Sequence, residues 1–207
     1  MVNKLVEEKY MKIKIFGTKI NITFCFVAML TLLIITDKSG YILPMILAVM
    51  VHEAAHLVTM HLVGCAPKEI VLIPASVRII RGIAVKSSHE TAISLLGPLA
   101  NFVLFFIFYI AYLLFPYNKL LDFSVINLLI GVFNLLPVKG LDGGIILKKI
   151  CQCFMSEQKA ELTVNICAII LAVLLIFLGV RFLINHNKNF TPIILGIYLI
   201  LSVAVKL

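Results

Sequence analysis

Residues 41–63 read YILPMILAVMVHEAAHLVTMHLV, and this run decides the fold. It has the length an α-helix needs to cross a bilayer, about 20 apolar residues. Yet its second half carries His52, Glu53 and His56. Ionisable groups at bilayer depth are costly and mark function. On a helix, positions four apart share a face, so His52 and His56 can hold one metal ion together. Glu53 lies about 60° round the helix from His56, at roughly 3.6 residues per turn. It therefore stands beside such an ion without ligating it. H-E-x-x-H is the donor pattern of a zinc hydrolytic site, with the glutamate as general base.

Composition places the rest of the chain in the same environment. Of 207 residues, 62% are hydrophobic and 14% charged, with a mean hydropathy of +1.11. A water-soluble domain of this size has no use for so much apolar surface. Six uncharged runs read as membrane spans: Ile20–Thr36, Tyr41–Val63, Thr91–Pro116, Phe123–Leu136, Leu162–Val180 and Phe190–Val205. Glu53 is the only carboxylate within them, and no Lys or Arg falls inside. The expected fold is an all-α polytopic membrane protein of about six transmembrane helices. It forms a single domain over residues 1–207, with no appended soluble domain. The first span lacks a small-residue cleavage site and the second follows at once, so it does not read as a signal peptide.

Charge gives an orientation. Fourteen of the 18 basic residues fall in the N-terminal segment, the loops after the second and fourth spans, and the last residues. Lys38, Lys119, Arg181 and Lys188 fall on the other side. The positive-inside rule then puts both termini in the cytoplasm of a multi-pass protein in the cell membrane or an internal membrane of a spore-forming cell. The net charge of +8 is a topology signal; its lysines are spread over loops rather than gathered with aromatics, so no nucleic-acid partner is expected. Three of the five cysteines, Cys65, Cys151 and Cys153, fall on the reducing side, which argues against a disulfide framework. Cys151 and Cys153 read as small residues near a helix end rather than metal ligands. His61 is off the ligand face, and His89 and His186 read as solvated loop residues.

Two histidines do not complete a catalytic zinc site, which takes three protein ligands and leaves a position for water. Asp142 is the best third donor. It lies in NLLPVKGLDGG, residues 134–144, just past the fourth span. His56 lies seven residues before the inner end of its span, roughly 10 Å deep at about 1.5 Å per residue. Pro137 ends the fourth span and lets the following backbone dip to a similar depth. Asp142 also reads as the N-cap of a following helix, and Asn134 as a residue that satisfies the broken helix end. Residues Ile70–Ile73 and Val77–Val85 are rich in β-branched side chains around a Pro74-Ala75-Ser76 turn. They are expected to form a membrane-associated β-hairpin near the active site.

His52-Glu53-Ala54-Ala55-His56, Gly97-Pro98-Leu99-Ala100-Asn101 and the stretch from Asn134 to Gly144 together resemble the site-2 protease family of intramembrane zinc metalloproteases. The resemblance runs over about residues 41–155, the expected catalytic core. It implies one Zn2+ per chain, held by His52, His56 and Asp142, with Glu53 as general base. It implies places near the substrate for Asn134 and Asn101. The implied partners are the lipid bilayer, a membrane-tethered protein substrate and regulatory membrane proteins; no oligomeric state follows. The six-span plan with a lysine-rich start looks like the sporulation stage IV protease, which releases a sigma factor from its tethered precursor. Such relatives commonly end in a CBS domain, which this chain lacks; an anti-sigma factor is the other substrate the resemblance suggests. Two readings compete: a non-catalytic relative that binds membrane segments, which has no need of Glu53, and a metal transporter, which needs polar ligands on more spans.

Overall fold

A computed structural model describes residues 11–15, 18–73, 76–81, 87–185 and 190–204. Its elements in chain order are β1 (Met11–Ile15), β2 (Thr18–Ile22), α1 (Phe24–Thr36), α2 (Ile42–Leu62), β3 (Pro67–Ile73), β4 (Ser76–Arg81), α3 (Ser87–Leu114), α4 (Asn118–Asn134), α5 (Asp142–Gln152), α6 (Glu157–Ile184) and α7 (Thr191–Ala204). The chain divides into two compact units, residues 1–130 and 131–207.

Each of the six apolar runs contains a helix, but only α2, α3 and α6 are long and apolar enough to cross a membrane among the described residues. The reason is length. At about 1.5 Å per residue, α1, α4 and α7 extend roughly 20–26 Å, short of a hydrocarbon core of about 30 Å. Fewer than a third of the residues in each long helix are buried. Their outward faces carry large exposed apolar side chains, among them Leu43, Leu47 and Met50 on α2 and Ile170, Leu174 and Phe177 on α6. A lipid environment covers such faces.

The first span needs correcting. Its opening residues belong to β2, and the helix starts only at Phe24. Thr23 is the hinge between the two. Its N–H donates to Leu72 O at 3.1 Å, and its Oγ1 accepts from Phe26 N at 3.2 Å, so the same residue ends the strand pairing and caps α1.

The all-α reading is likewise corrected: a four-stranded sheet, in the order β1-β2-β3-β4, belongs to the first unit. β1 and β2 form an antiparallel hairpin, Met11 opposite Ile22 and Ile15 opposite Thr18. β2 pairs parallel with β3, Ile20 opposite Ile70, a connection that runs through α1 and α2. β3 and β4 form the expected antiparallel hairpin, Ile73 opposite Ser76 and Val71 opposite Arg78. Strand β3 starts three residues earlier than the β-branched run suggests, at Pro67. The part of that run after Arg81 lies outside the described residues, as does His186. Asn21 Nδ2 donates to Glu69 Oε1 across the parallel pair, and Thr18 Oγ1 donates to Pro67 O at 2.9 Å.

Asp37 shapes the turn into α2. Its carboxylate accepts from Ser39 N and Oγ, Gly40 N and Ile42 N at 2.6–3.1 Å. These donors, the Ser39 hydroxyl first, hold its carboxyl down to about 2. The charge satisfies otherwise orphaned amides at the start of the helix that carries the H-E-x-x-H motif.

In the second unit, α6 buries Ala160, Val164, Ala168 and Ala172, a stripe of small residues four apart. Ala168 and Ala172 pack with Val138 and Leu199, and Leu136 and Leu141 lie against this core. The loop between α4 and α5 is thus anchored by its own leucines and valine. A second tie is ionic: Lys139 meets Glu161 at 3.3 Å, and Lys148 meets Glu157 at 3.1 Å and Glu161 at 3.4 Å.

Candidate metal centre

His52 and His56 are 3% and 7% exposed on α2, one turn apart. Each imidazole is fixed through its Nδ1. His52 Nδ1 lies 2.7 Å from Asn101 Oδ1, and His56 Nδ1 lies 2.8 Å from Ile93 O, both on α3. An amide oxygen and a backbone carbonyl can only accept, so both Nδ1 atoms carry the proton. In the neutral rings, both Nε2 atoms are then acceptors. They stand 3.0 Å apart. Two lone pairs at that distance repel unless a proton or a metal cation lies between them.

A zinc ion suits this donor set. Zinc–imidazole bonds of about 2.0–2.1 Å in a tetrahedral site put two nitrogens roughly 3.3 Å apart, close to the spacing seen. The outer hydrogen bonds are those that orient metal-ligating histidines and fix their tautomer.

Gly97 explains how α3 comes so near. A methyl group there would overlap Cε1 and Nε2 of His56 and stand 2.9 Å from Cε1 of His52. Only a residue without a side chain lets the helix back onto the imidazole pair. Glu53, beside His52 on the same turn, is half-buried.

Asn101 is fully buried, with both polar atoms used inside the protein. Its place is behind His52, against the Nδ1 of that ring, rather than the substrate-contacting place implied by the resemblance. Two partners went unnoticed in the sequence. One is the Ile93 carbonyl, which no side-chain pattern reveals. The other is Asn127 of α4, whose Oδ1 accepts from Asn101 Nδ2 at 3.0 Å. Its signal was available: a carboxamide in an apolar span needs partners.

Asp142 is the first residue of α5 in the second unit, and Leu141 rather than Asp142 holds the N-cap position. The N-cap reading of Asp142 is therefore set aside. A carboxylate in a first turn faces the positive end of the helix dipole. Gly143 and Gly144 pack their backbone on the carbonyls of Leu135, Leu136 and Val138, where a methyl group has no room. This clamps the turn that carries Asp142. Asn134, half-buried, ends α4. Cys151 is buried and Cys153 exposed at the end of α5, both as free thiols. His89 lies in the first turn of α3 rather than in a loop, and His61 is exposed in the last turn of α2.

Residues 116–178, which hold the Asn134–Gly144 stretch, match the model of peptidase family M50. The chain is similar to that family over this stretch. It is 29% identical over 153 residues to a zinc metalloprotease of Methanocaldococcus jannaschii, an alignment that covers 66% of this chain. The chain spans 44% of the length of that relative. The structure is similar to a site-2 protease from Methanocaldococcus jannaschii, with a TM-score of 0.65, 23% identity and 94% of each chain covered. This likeness establishes a shared fold.

Proposed function

We propose that the chain is an intramembrane zinc metalloendopeptidase, which hydrolyses a peptide bond in or next to a transmembrane segment of a membrane-tethered protein. One observation carries the reading: two acceptor nitrogens, fixed from behind and converging at 3.0 Å, on a helix long enough to span a membrane and followed in sequence by a glutamate. His52, His56 and Asp142 hold one zinc ion. When bound, zinc supplies the Lewis acidity that makes water a nucleophile near neutral pH. Glu53 takes the proton of the attacking water and passes it to the leaving amine nitrogen. Asn134, at the end of α4, faces the substrate. The purified chain is expected to hold one zinc, with His52→Ala, His56→Ala and Asp142→Ala each lowering occupancy. Metal analysis of the chain in detergent or nanodiscs checks this. Full occupancy in Asp142→Ala would remove Asp142 from the ligand set, while weak, exchangeable zinc in the parent would favour a carrier.

Both termini face the cytoplasm in this reading, supported by the distribution of basic residues. The Lys119 ammonium lies 5.9 Å from the centre of the Tyr41 ring, which supports a common side for the starts of α2 and α4. Cysteines placed at Lys12 and Lys68 are expected to label from the cytoplasm, and at Lys38 and Lys119 from the opposite side. Labelling of Lys38 and Lys68 from one side would overturn this orientation.

The substrate must unwind where it is cut. A peptide carbonyl in an intact helix is tied in a hydrogen bond and screened by side chains. Gly, Asn or Pro in the substrate near the cytoplasmic face lowers the cost of unwinding. The extended segment pairs with strand β4, which among the described residues has a strand neighbour on one side only. A sigma-factor precursor or an anti-sigma factor is the first substrate to try. Replacing its helix breakers by Leu is expected to slow cleavage several-fold in a reconstituted assay. Unchanged rates would discard the unwinding step.

A further inference from the structure

Behind His52 lies a chain of two buried amides that ends on fixed backbone. Asn101 Nδ2 donates to Ala48 O at 3.1 Å and to Asn127 Oδ1 at 3.0 Å. Asn127 Nδ2 in turn donates to Phe123 O at 2.8 Å. Both asparagines are fully buried. A backbone carbonyl only accepts, so Phe123 O dictates which end of the Asn127 amide turns toward it. That leaves Oδ1 of Asn127 to receive Asn101 Nδ2, and Oδ1 of Asn101 to receive the Nδ1 proton of His52. The direction of every bond follows from two carbonyls that cannot flip, those of Phe123 and Ala48.

We propose that Asn127 is a positioning residue for the metal site: through Asn101 it holds His52 in the Nδ1–H tautomer, with Nε2 as the metal-facing lone pair. The proposal rests on the metallopeptidase reading and adds a residue from a third helix, α4, to the one that carries the histidines and the one behind them.

The alternative state shows what the chain prevents. If the Asn101 amide turned over, its NH2 would face His52 Nδ1 and favour the Nε2–H tautomer, which cannot ligate through Nε2. Two acceptors for Asn101 Nδ2 oppose that flip. Loss of Asn127 leaves Ala48 O alone to oppose it, so the expected effect is partial.

The test uses the full-length chain in nanodiscs. Co2+ is the probe, titrated by its visible d–d bands, with zinc affinity measured by chelator competition. Asn127→Leu removes the acceptor at similar volume and is expected to weaken metal binding about 10-fold, the lower end of what such outer partners contribute. Asn127→Asp, in its protonated form, keeps a carbonyl oxygen for Asn101 Nδ2 and an O–H donor for Phe123 O, and is expected to bind closer to the parent than Asn127→Leu, with the parental cobalt spectrum. Ser124→Ala is the control for packing. It removes another buried bond from α4 to α3, Ser124 Oγ to Phe105 O at 3.1 Å, with no link to His52. It is expected to leave metal affinity unchanged. Parental affinity in a folded Asn127→Leu protein overturns the proposal, as does an equal loss in Ser124→Ala. If Asn127→Leu fails to fold, the Asp variant decides: loss of affinity in that folded protein overturns the relay. A parent that binds no metal overturns the metallopeptidase reading, and the relay with it; a parent that binds metal through His52 and His56 while Asn127→Leu is unaffected overturns the relay alone.

Discussion

Glu53→Gln is expected to keep its zinc and lose about 10²- to 10⁴-fold in cleavage rate, the range typical of a missing general base. The two effects separate because of where Glu53 sits. It adjoins His52 on α2 but lies off the face that His52 and His56 share, about 100° round the helix from the first and 60° from the second. An amide of nearly the same shape fills the same half-buried place. It disturbs neither Nδ1 anchor, since those lie on α3. What it removes is a group able to take a proton from water and return it to the amine. His52→Ala makes the opposite change: it takes away a donor atom, so zinc and activity fall together. Metal content and single-turnover cleavage, measured on one preparation, check the contrast. Full activity in Glu53→Gln would end the general-base assignment, and loss of zinc there would make Glu53 part of the metal's own shell.

The imidazole pair was legible in the sequence because its geometry is local. His52 and His56 lie one turn apart, and helix geometry alone puts them on one face. Six apolar runs were legible for a similar reason, since transfer to lipid depends on composition over a window. What that window hides is where a helix starts. Ile20 and Ile22 are as apolar as the α1 residues that follow, and the pairing that makes them strand comes from β1 and from Ile70 and Leu72, 50 positions on. Alternation in Met11–Ile15 is the signal for β1, in a stretch whose lysines also carry the topology signal. The anchors behind the histidines were hidden more deeply. The Ile93 carbonyl carries no residue signature, and Asn127, a carboxamide in an apolar span, signals a need for partners but finds them only once α4 packs on α3.

Gly97→Ala is expected to weaken zinc binding by about 10- to 100-fold, as loss of an orienting contact does in metal sites, while the fold survives. Ala is the better helix former by about 0.8–1.0 kcal/mol, so local propensity favours the change. Packing opposes it. The new methyl group would overlap His56 and crowd His52, and overfilling a packed interior costs about 1–3 kcal/mol. The balance falls on the imidazoles, because rings move more readily than two helix backbones. To move, however, His56 must stretch its 2.8 Å bond to Ile93 O, and His52 its 2.7 Å bond to Asn101 Oδ1. The methyl thus costs the site the two contacts that aim its nitrogens. Leu96→Ala gives the comparison: the neighbouring side chain is 36% exposed, and its loss is expected to leave zinc affinity unchanged. Chelator competition and thermal melting of both variants in the same lipid decide the matter. Parental zinc affinity in Gly97→Ala would mean that the imidazole pair tolerates displacement, and that the close approach of α3 serves helix packing rather than the metal.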